Sequence, residues 1–153
     1  MPTASFIAFH DTSETETPPD IAPTFAVVLA RGPVGVVLVF NRFRRVWELP
    51  GGFIDAGESA RDAARRELGE EAHCEAGSLD WLGIVEVDDG RRRCGAVFGC
   101  VVATVPAQVR NEEIDGIAAW TPGVAPQPLG PTDRALLESL SGRLARTGPP
   151  KTG

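Results

Sequence analysis

The chain has 153 residues, 42% of them hydrophobic and 24% charged, which is the composition of a globular domain and excludes a disordered or fibrous protein. Its 15 Lys and Arg against 21 Asp and Glu give a net charge of −6, which excludes an overall basic surface for a nucleic-acid polymer or an anionic membrane. The longest apolar runs fall short of the ~18 residues of a membrane span. Residues 1–10 carry no basic residue before their apolar patch, so no secretory signal is expected. Three cysteines without C-x-x-C spacing predict reduced thiols and a cytoplasmic protein.

Residues 1–23 predict a short extended segment, over residues 5–9, followed by a polar and proline-rich loop. Residues 24–146 are expected to form the one domain of the chain. Residues 147–153 are rich in Gly and Pro and predict a loose tail.

Two β-branched stretches, residues 24–30 and residues 34–40, open the predicted domain. The turn-forming sequence Arg31-Gly32-Pro33 separates them, which favours a hairpin. Because both stretches are almost continuously apolar, we expect them to be buried on both faces.

A second strand pair is predicted at residues 81–87 and 92–105. Asp89-Gly90 lies between the two stretches, and Asp-Gly is among the strongest local signals for a tight hairpin turn. One more strand is expected over residues 117–121.

Two helices complete the predicted elements. The first covers residues 60–72, which are rich in good helix formers, and Ser59 with Asp62 resembles a capping pair at its start. The second runs from Thr132, as the cap, to Arg146, with one apolar stripe. That stripe comprises Leu136, Leu137, Leu140 and Leu144. Strands and helices in this order predict an α/β (α+β) fold in which a mixed sheet is covered by helices.

The first helix carries an acidic face. At about 100° per residue, Glu67, Glu70 and Glu71 fall within an arc of roughly 100°. Like charges at this spacing repel, and the repulsion grows beside a low-dielectric core. Arg66 can pair with Glu70 but does not balance three carboxylates. Mg²⁺ does, because it takes oxygen ligands and fills its remaining positions with water and substrate phosphates.

The loop before this helix also favours a Mg²⁺ site. Gly51 and Gly52 allow the backbone to approach a bound ligand closely, and Gly57 permits a turn that a side chain would hinder. Glu58, at the entrance of the helix, is placed to add a carboxylate or to accept a hydrogen bond from Arg66.

This stretch resembles the Nudix box, which reads Gly, five residues, Glu, seven residues, then Arg-Glu-aliphatic-any-Glu-Glu-any-Gly-aliphatic. The box lies over residues 52–74, and two of its positions depart, with His73 in place of glycine and Cys74 in place of a larger aliphatic residue. Both departures lie at the helix exit, and His tolerates the left-handed backbone better than most residues. The matching positions are Gly52, Glu58, Arg66, Glu67, Leu68, Glu70 and Glu71.

The resemblance implies a Nudix-type α/β/α sandwich that hydrolyses a diphosphate linkage with Mg²⁺, or with Mn²⁺ as an alternative. It implies Glu67 and Glu71 as the leading metal ligands. Glu70 is then a third ligand or an outer-shell group, and the carbonyl of Gly52 is a further ligand. Arg66 would orient the glutamates.

The resemblance leaves the general base open between a box glutamate, Glu67 or Glu70, and an acid on a later loop. Glu112 and Glu113 lie where such a loop acid is often found, just before the strand predicted at residues 117–121. Glu113 is the preferred candidate of the two.

The arginines between the second predicted strand and Trp47 have two alternative interpretations. Arg42 and Arg44 would share a face if this segment is extended, and would then bind substrate phosphates, together with the backbone of Gly51. The alternative is ordinary surface solubility. Large aromatic residues such as Phe53 are interpreted as packing rather than as stacking surfaces.

The expected partner is a small nucleotide-type diphosphate, such as a nucleoside triphosphate, an ADP-ribose-like compound or a nucleotide sugar. No nucleic-acid polymer or membrane is expected, and a homodimer stays open. A Nudix-fold nucleotide-binding or sensor module with little turnover is the main alternative, and a Nudix-like isomerase is a remote one.

Overall fold

The computed structural model describes residues 4–15 and 22–146, with the backbone alone for residues 143–146. The predicted tail at 147–153, part of the predicted N-terminal loop and the side chain of Leu144 lie outside what it describes. The helices are α1 (Ala60–Ala72) and α2 (Pro131–Arg146). The strands are β1 (Ser5–His10), β2 (Phe25–Arg31), β3 (Val36–Asn41), β4 (Val46–Glu48), β5 (Gly51–Phe53), β6 (Asp80–Asp88), β7 (Arg92–Val101) and β8 (Ile114–Trp120).

The strands form one mixed sheet in the order β1-β6-β7-β2-β3-β4, with β5 paired to β2 and β8 paired to β3. All neighbours are antiparallel except β2 and β7, which run parallel from Phe25↔Gly95 to Arg31↔Val101. The predicted Asp89-Gly90 hairpin is confirmed, because β6 and β7 pair from Asp80↔Gly99 to Asp88↔Arg92.

The predicted hairpin of residues 24–30 and 34–40 is confirmed beside its turn but does not extend along the strands. Both strands exist, but β2 and β3 pair only at Arg31↔Val36, beside their connecting turn. Beyond that point β2 pairs with β7 and β5, and β3 pairs with β8 and β4. The two strands diverge because each finds its backbone partners in distant parts of the chain, which a local turn signal does not reveal.

Burial on both faces of β2 and β3 is confirmed. On one face Val28 and Val39 pack into a core with α1, and on the other Leu29 and Leu38 pack into a second core with α2. Leu68 belongs to the first core. The second core includes Leu136, Leu137 and Leu140 of the predicted stripe. The fold is therefore the expected sandwich, with a mixed sheet between two helices.

Several predicted boundaries shift. The last residues of the predicted strand at 92–105 fold away from β7, which ends at Val101, and β8 begins earlier than predicted, at Ile114. α2 begins at Pro131 rather than after a Thr132 cap, as suits a proline at the first helical position. The hydroxyl of Thr132 instead donates to the carbonyl of Ala4 at 3.4 Å. None of the described helices is long and apolar enough to cross a membrane.

Candidate active site

The first helix begins and ends as the sequence indicates. Ser59 precedes α1 with an extended backbone, and its Oγ accepts a hydrogen bond from the Asp62 N–H at 3.0 Å. His73 ends the helix in the left-handed conformation, with φ 52°, and its N–H donates to the Gly69 carbonyl at 3.1 Å. The histidine at the usual glycine position therefore still forms a left-handed C-terminal cap.

Glu67 and Glu71 lie one helical turn apart and are both buried, at 8% and 7% exposed. They face β5, the strand that carries the two consecutive glycines. The N–H of Gly51 donates to Glu71 Oε1 at 2.8 Å. The side chain of Glu70 is far more exposed, at 61%.

Gly52 lies close to Glu67, so a side chain at residue 52 would require the Glu67 carboxylate to move. A Cβ on Gly52 would be 2.6 Å from Glu67 Oε1 and 2.8 Å from its Cδ. A Cβ on Gly51 would be 2.3 Å from the carbonyl oxygen of Ala26 on β2. Gly51 is therefore required for β5 to lie against the backbone of β2, and Gly52 lets the same strand approach the Glu67 carboxylate without displacing it.

Arg66 gathers the acidic groups around it. Its Nε and Nη2 bond both oxygens of Glu58, at 2.8 and 2.9 Å, in a bidentate pair. Its Nη1 lies 2.9 Å from Glu67 Oε1 and 3.3 Å from Glu70 Oε2. The hydrogen bond from Arg66, with a second from the Asp55 N–H, lowers the pKa of Glu58 to about 2. Arg66 is thus fixed by Glu58 at the start of α1 and in turn positions the Glu67 carboxylate.

The buried pair is short of positive charge. Burial raises the pKa of Glu67 despite its bond to Arg66, and the neighbouring carboxylates of Glu70 and Glu113 raise it further. Burial raises the pKa of Glu71 to about 8, and Glu67, Glu113 and Glu48 add to the effect while the Gly51 N–H opposes it. Carboxylates in such surroundings are destabilised as anions unless a cation joins them.

Mg²⁺ fits these donors. The buried oxygens are carboxylates, the Gly52 backbone lies against Glu67, and Mg²⁺ is commonly held by one or two carboxylates plus substrate phosphates. Among the described residues no group of three or more His, Cys, Asp or Glu side chains is gathered as a ready-made metal centre. Glu70 is linked to Glu67 through Arg66, whose Nη1 contacts a carboxylate oxygen of each.

The loop before β8 lies against the same helix. The Asn111 side chain donates to the Glu70 carbonyl at 3.2 Å and accepts from the Glu113 N–H at 2.9 Å. The Glu113 side chain is exposed, and its charge acts on both Glu67 and Glu71. The preferred loop acid therefore lies within electrostatic range of the buried pair.

The expectation that Arg42 and Arg44 share one face is wrong, because residues 42–45 form a turn rather than an extended segment. Asn41 Oδ1 accepts from the N–H groups of Phe43 and Arg44, both at 2.9 Å, and Arg45 takes a positive φ of 55°. Arg42 consequently lies by the Glu113 loop, where its N–H donates to the Glu113 carbonyl at 2.8 Å.

Arg44 reaches a groove of about 270 Å³ that opens beside Gly51 and Gly52. Within the groove Arg44 forms a bidentate pair with Glu48, at 2.9 and 3.0 Å. Phe53 also lines the groove and is 59% exposed, contrary to its interpretation as a packing residue. Arg93 lies 5.8 Å from the centre of the Phe53 ring.

Asp133, in the first turn of α2, was missed in the sequence and also lines this groove. Its Oδ1 accepts a hydrogen bond from the Leu49 N–H at 2.9 Å. Burial raises its pKa to about 7, with a contribution from Glu48. The only local signal was an acidic residue at a helix start, which usually interacts with the helix itself rather than with a residue 84 positions away.

The chain is similar in sequence to known proteins. A family model described as a NUDIX domain matches residues 20–140. A Mycobacterium tuberculosis protein provisionally named mutator protein MutT4 is 33% identical over 88 residues, which are 55% of this chain and 36% of that protein. A Bacillus subtilis protein provisionally named 8-oxo-dGTP diphosphatase is 31% identical over 91 residues, which are 60% of each chain. The chain thus spans about a third and three fifths of these relatives' lengths.

A solved structure extends the likeness of fold to nearly the whole chain. The Bacillus subtilis pyrophosphohydrolase BsRppH, crystallised as a point mutant, superposes with a TM-score of 0.71 at 22% identity. The superposition covers 92% of this chain and 90% of that one.

Proposed function

This chain belongs to the NUDIX family, and we propose that it is a Mg²⁺-dependent pyrophosphohydrolase that cleaves the diphosphate linkage of a nucleoside diphosphate joined to a further group. The observation that carries the proposal is the buried Glu67–Glu71 pair facing the Gly51-Gly52 strand, with more negative than positive charge around it. An acidic pair of this kind is suited to a divalent cation that also binds phosphates.

The residues proposed to hold Mg²⁺, or Mn²⁺ in its place, are Glu67, Glu71 and the Gly52 carbonyl, with Glu70 as a third carboxylate or an outer-shell group. Once bound, the cation supplies charge neutralisation at the diphosphate and lowers the pKa of water at the reacting phosphorus. Gly51 orients Glu71 through its N–H, and Arg66 orients Glu67 through its Nη1. Such outer contacts fix the direction of ligand oxygens before substrate arrives.

Hydrolysis then needs a base and a leaving group. The water oxygen forms a bond to one phosphorus while the bridging P–O bond breaks, and the leaving phosphate keeps the electron pair. Glu113 is the proposed acceptor of the water proton, since its exposed side chain lies within electrostatic range of Glu67 and Glu71. The products are a nucleoside monophosphate and a phosphorylated group or pyrophosphate.

The substrate-binding surface is proposed to be the groove beside β5. Arg44 supplies a guanidinium suited to a phosphate oxygen, and Gly51, whose N–H bonds Glu71, also lines the groove. Arg42 lies by the Glu113 loop, so its proposed contact is with a substrate group that extends beyond the groove. The names of the relatives favour a nucleoside triphosphate, and ADP-ribose-like compounds and nucleotide sugars belong to the same bond class.

The test is a panel of nucleoside triphosphates, ADP-ribose and nucleotide sugars, each with Mg²⁺ and with EDTA, and with products identified by mass. We expect Mg²⁺-dependent release of a nucleoside monophosphate from at least one substrate class. Glu67→Gln should abolish this release, whereas Glu75→Gln, the same change at an exposed glutamate just beyond α1, should not. Release that persists in EDTA, or that survives Glu67→Gln, would contradict the proposal.

A binding or sensor module with little turnover is the second candidate. The observation that favours it is the departure of His73 and Cys74 from the box, although His73 forms the expected cap. Saturable nucleotide binding in the presence of Mg²⁺ without any product would select this candidate. A cytoplasmic location stays a prediction, as does a homodimer.

A further inference from the structure

Two hydrogen bonds, one to a side chain of each helix, anchor β5 and the residues just before it. On the α1 side, the Gly51 N–H donates to Glu71 Oε1 at 2.8 Å. On the α2 side, the Leu49 N–H donates to Asp133 Oδ1 at 2.9 Å. Only Leu49 and Pro50 connect β4 to β5, so the two anchors are two residues apart.

The second anchor belongs to a larger attachment of α2 to this segment. Trp47 of β4 donates its N–H to the Pro128 carbonyl at 2.8 Å and accepts from the Gly130 N–H at 2.9 Å. Trp47 and Leu129 form a parallel bridge. The segment before α2 therefore runs beside β4 and delivers Asp133 to the Leu49 amide.

The position of Asp133 is closely constrained. A Cβ at Gly130 would lie 2.3 Å from Asp133 Oδ2, so a side chain at residue 130 would displace the carboxylate from its present position. Leu49 is 4% exposed, and its N–H would lose a buried partner without Asp133. Because a buried N–H without a partner is unfavourable, loss of this acceptor is expected to shift the short connection.

We propose that Asp133 is a positioning residue of the metal site, which sets the β4–β5 connection so that Gly51 and Gly52 lie against Glu71 and Glu67. The role rests on the proposed Mg²⁺ site and extends it to a residue of the opposite helix. The carboxylate acts through the Leu49 amide and the two-residue connection, not by touching the cation. Outer-shell groups of this kind typically change metal affinity or activity by about 10–100-fold.

The test uses Asp133→Ala and Asp133→Asn, with Glu138→Ala as a control that removes an exposed acid from the same helix. Hydrogen exchange in the metal-free protein reports on the Leu49 and Gly51 amides. Calorimetry of Mg²⁺ alone reports on the site without any substrate. In Asp133→Ala we expect faster exchange at both amides and Mg²⁺ affinity weakened about 10-fold or more.

Asp133→Asn keeps an oxygen acceptor for the Leu49 N–H, so exchange and Mg²⁺ affinity should return toward wild type. A merely structural role would not produce this joint recovery of amide protection and metal affinity. If Asp133→Ala does not fold, Asp133→Leu removes the acceptor while filling more of the space, and the same two measurements apply.

Steady-state kinetics separate positioning from substrate contact. A positioning residue lowers kcat for every hydrolysed substrate by a similar factor, with Mg²⁺ affinity reduced. Unchanged Mg²⁺ affinity with a KM that changes according to the nucleobase would overturn the proposal and make Asp133 a substrate contact. Unchanged amide exchange at Leu49 and Gly51 would also overturn it.

The outcome is separable from that of the proposed function. If the wild-type protein binds Mg²⁺ and hydrolyses nothing, the hydrolase proposal fails, while the exchange and affinity data still decide the role of Asp133. If the wild type hydrolyses its substrate and Asp133→Ala matches it in Mg²⁺ affinity and kcat, only the positioning role fails.

Discussion

Glu71 on α1 and Glu86 on β6 are carboxylates buried to nearly the same degree, at 7% and 6% exposed. Glu86 is paired with Arg92, whose Nε lies 2.7 Å from its Oε2, and the His10 ring nitrogen contacts its Oε1. These bonds lower the pKa of Glu86. Burial raises the pKa of Glu71 to about 8, and neighbouring carboxylates add to the effect against the opposing hydrogen bond from the Gly51 N–H.

The difference teaches how to tell a structural acid from a functional one. The charge of Glu86 is compensated by the protein itself, so nothing else is required at that place. The charge of Glu71 is compensated only partly, and burial at such a position is maintained at a cost to stability. Strained electrostatics of this kind are typical of sites that bind an external cation.

The largest expected effect is on turnover. Glu67→Gln and Glu71→Gln should each reduce kcat by about 100-fold or more, because each removes a proposed ligand oxygen. Glu86→Gln should leave turnover within the range of wild type. Initial rates with saturating Mg²⁺ on the hydrolysed substrate measure the difference, and equal losses at Glu71 and Glu86 would erase the distinction.

A smaller difference in turnover is expected between substitutions of Arg66, which bonds Glu67, and of Arg92, which bonds Glu86. Arg66→Lys should lower turnover by about 10-fold or more, because a lysine cannot form the bidentate pair with Glu58 while reaching Glu67. Arg92→Lys should affect stability alone, by about 1 kcal/mol or less, since the Arg92 side chain is 52% exposed. Rates and urea unfolding of both variants test this contrast.

Opposite pH dependences of stability are predicted for the metal-free protein. The folded pKa of Glu71 is raised from 4.5 to about 8, so the folded state binds more protons than the unfolded state between these values, and stability falls as pH rises through them. The pKa of Glu86 is lowered from 4.5, so its contribution is complete above that value and is lost as pH falls through its folded pKa.

Substitution of each glutamate isolates its contribution to the pH dependence of stability. In EDTA, Glu71→Gln should be more stable than wild type near pH 8, by at least about 1 kcal/mol, and should lose that advantage near pH 4. Glu86→Gln should instead flatten the loss of stability at low pH. Guanidinium unfolding across the pH range measures both, and parallel profiles for all three proteins would contradict the assignment.

The smallest effect is expected at His73, which ends α1. His73 takes a left-handed backbone, which glycine adopts without strain, so His73→Gly should raise the free energy of unfolding by about 0.5–1 kcal/mol. Turnover should not change, because the residue lies past the carboxylates. Thermal unfolding and initial rates check the two statements, and a gain in kcat would show that the box departure reaches the site.

The elements that rest on local pattern were predictable. α1 was expected over residues 60–72 and lies there, because helix propensity, the Ser59 cap and the apolar face agree. The burial of β2 and β3 also followed from their composition. The strands β4 and β5 were not predicted, because such three-residue segments show no pattern of their own and become strands only through pairing with β3 and β2.

The site was predictable in part for the same reason. The spacing of Glu67, Glu70 and Glu71 and the i, i+4 pairing of Arg66 with Glu70 are local properties of one helix. The bond from the Gly51 N–H to Glu71 depends on the placement of β5, which the spacing of the helix does not contain. The bond between Leu49 and Asp133 joins residues 84 positions apart, and no local signal marks it. The turn at residues 42–45 depends on the Asn41 side chain, which competes with extended backbone.

Calorimetric titration of Mg²⁺ into metal-free wild type, Glu71→Gln and Glu86→Gln tests the central claim most directly, since it needs no substrate and compares the two buried carboxylates in one experiment. We predict saturable binding in wild type and in Glu86→Gln, and binding weakened about 10-fold or more in Glu71→Gln. Identical isotherms for the three proteins, or no saturable uptake by wild type, would contradict the account.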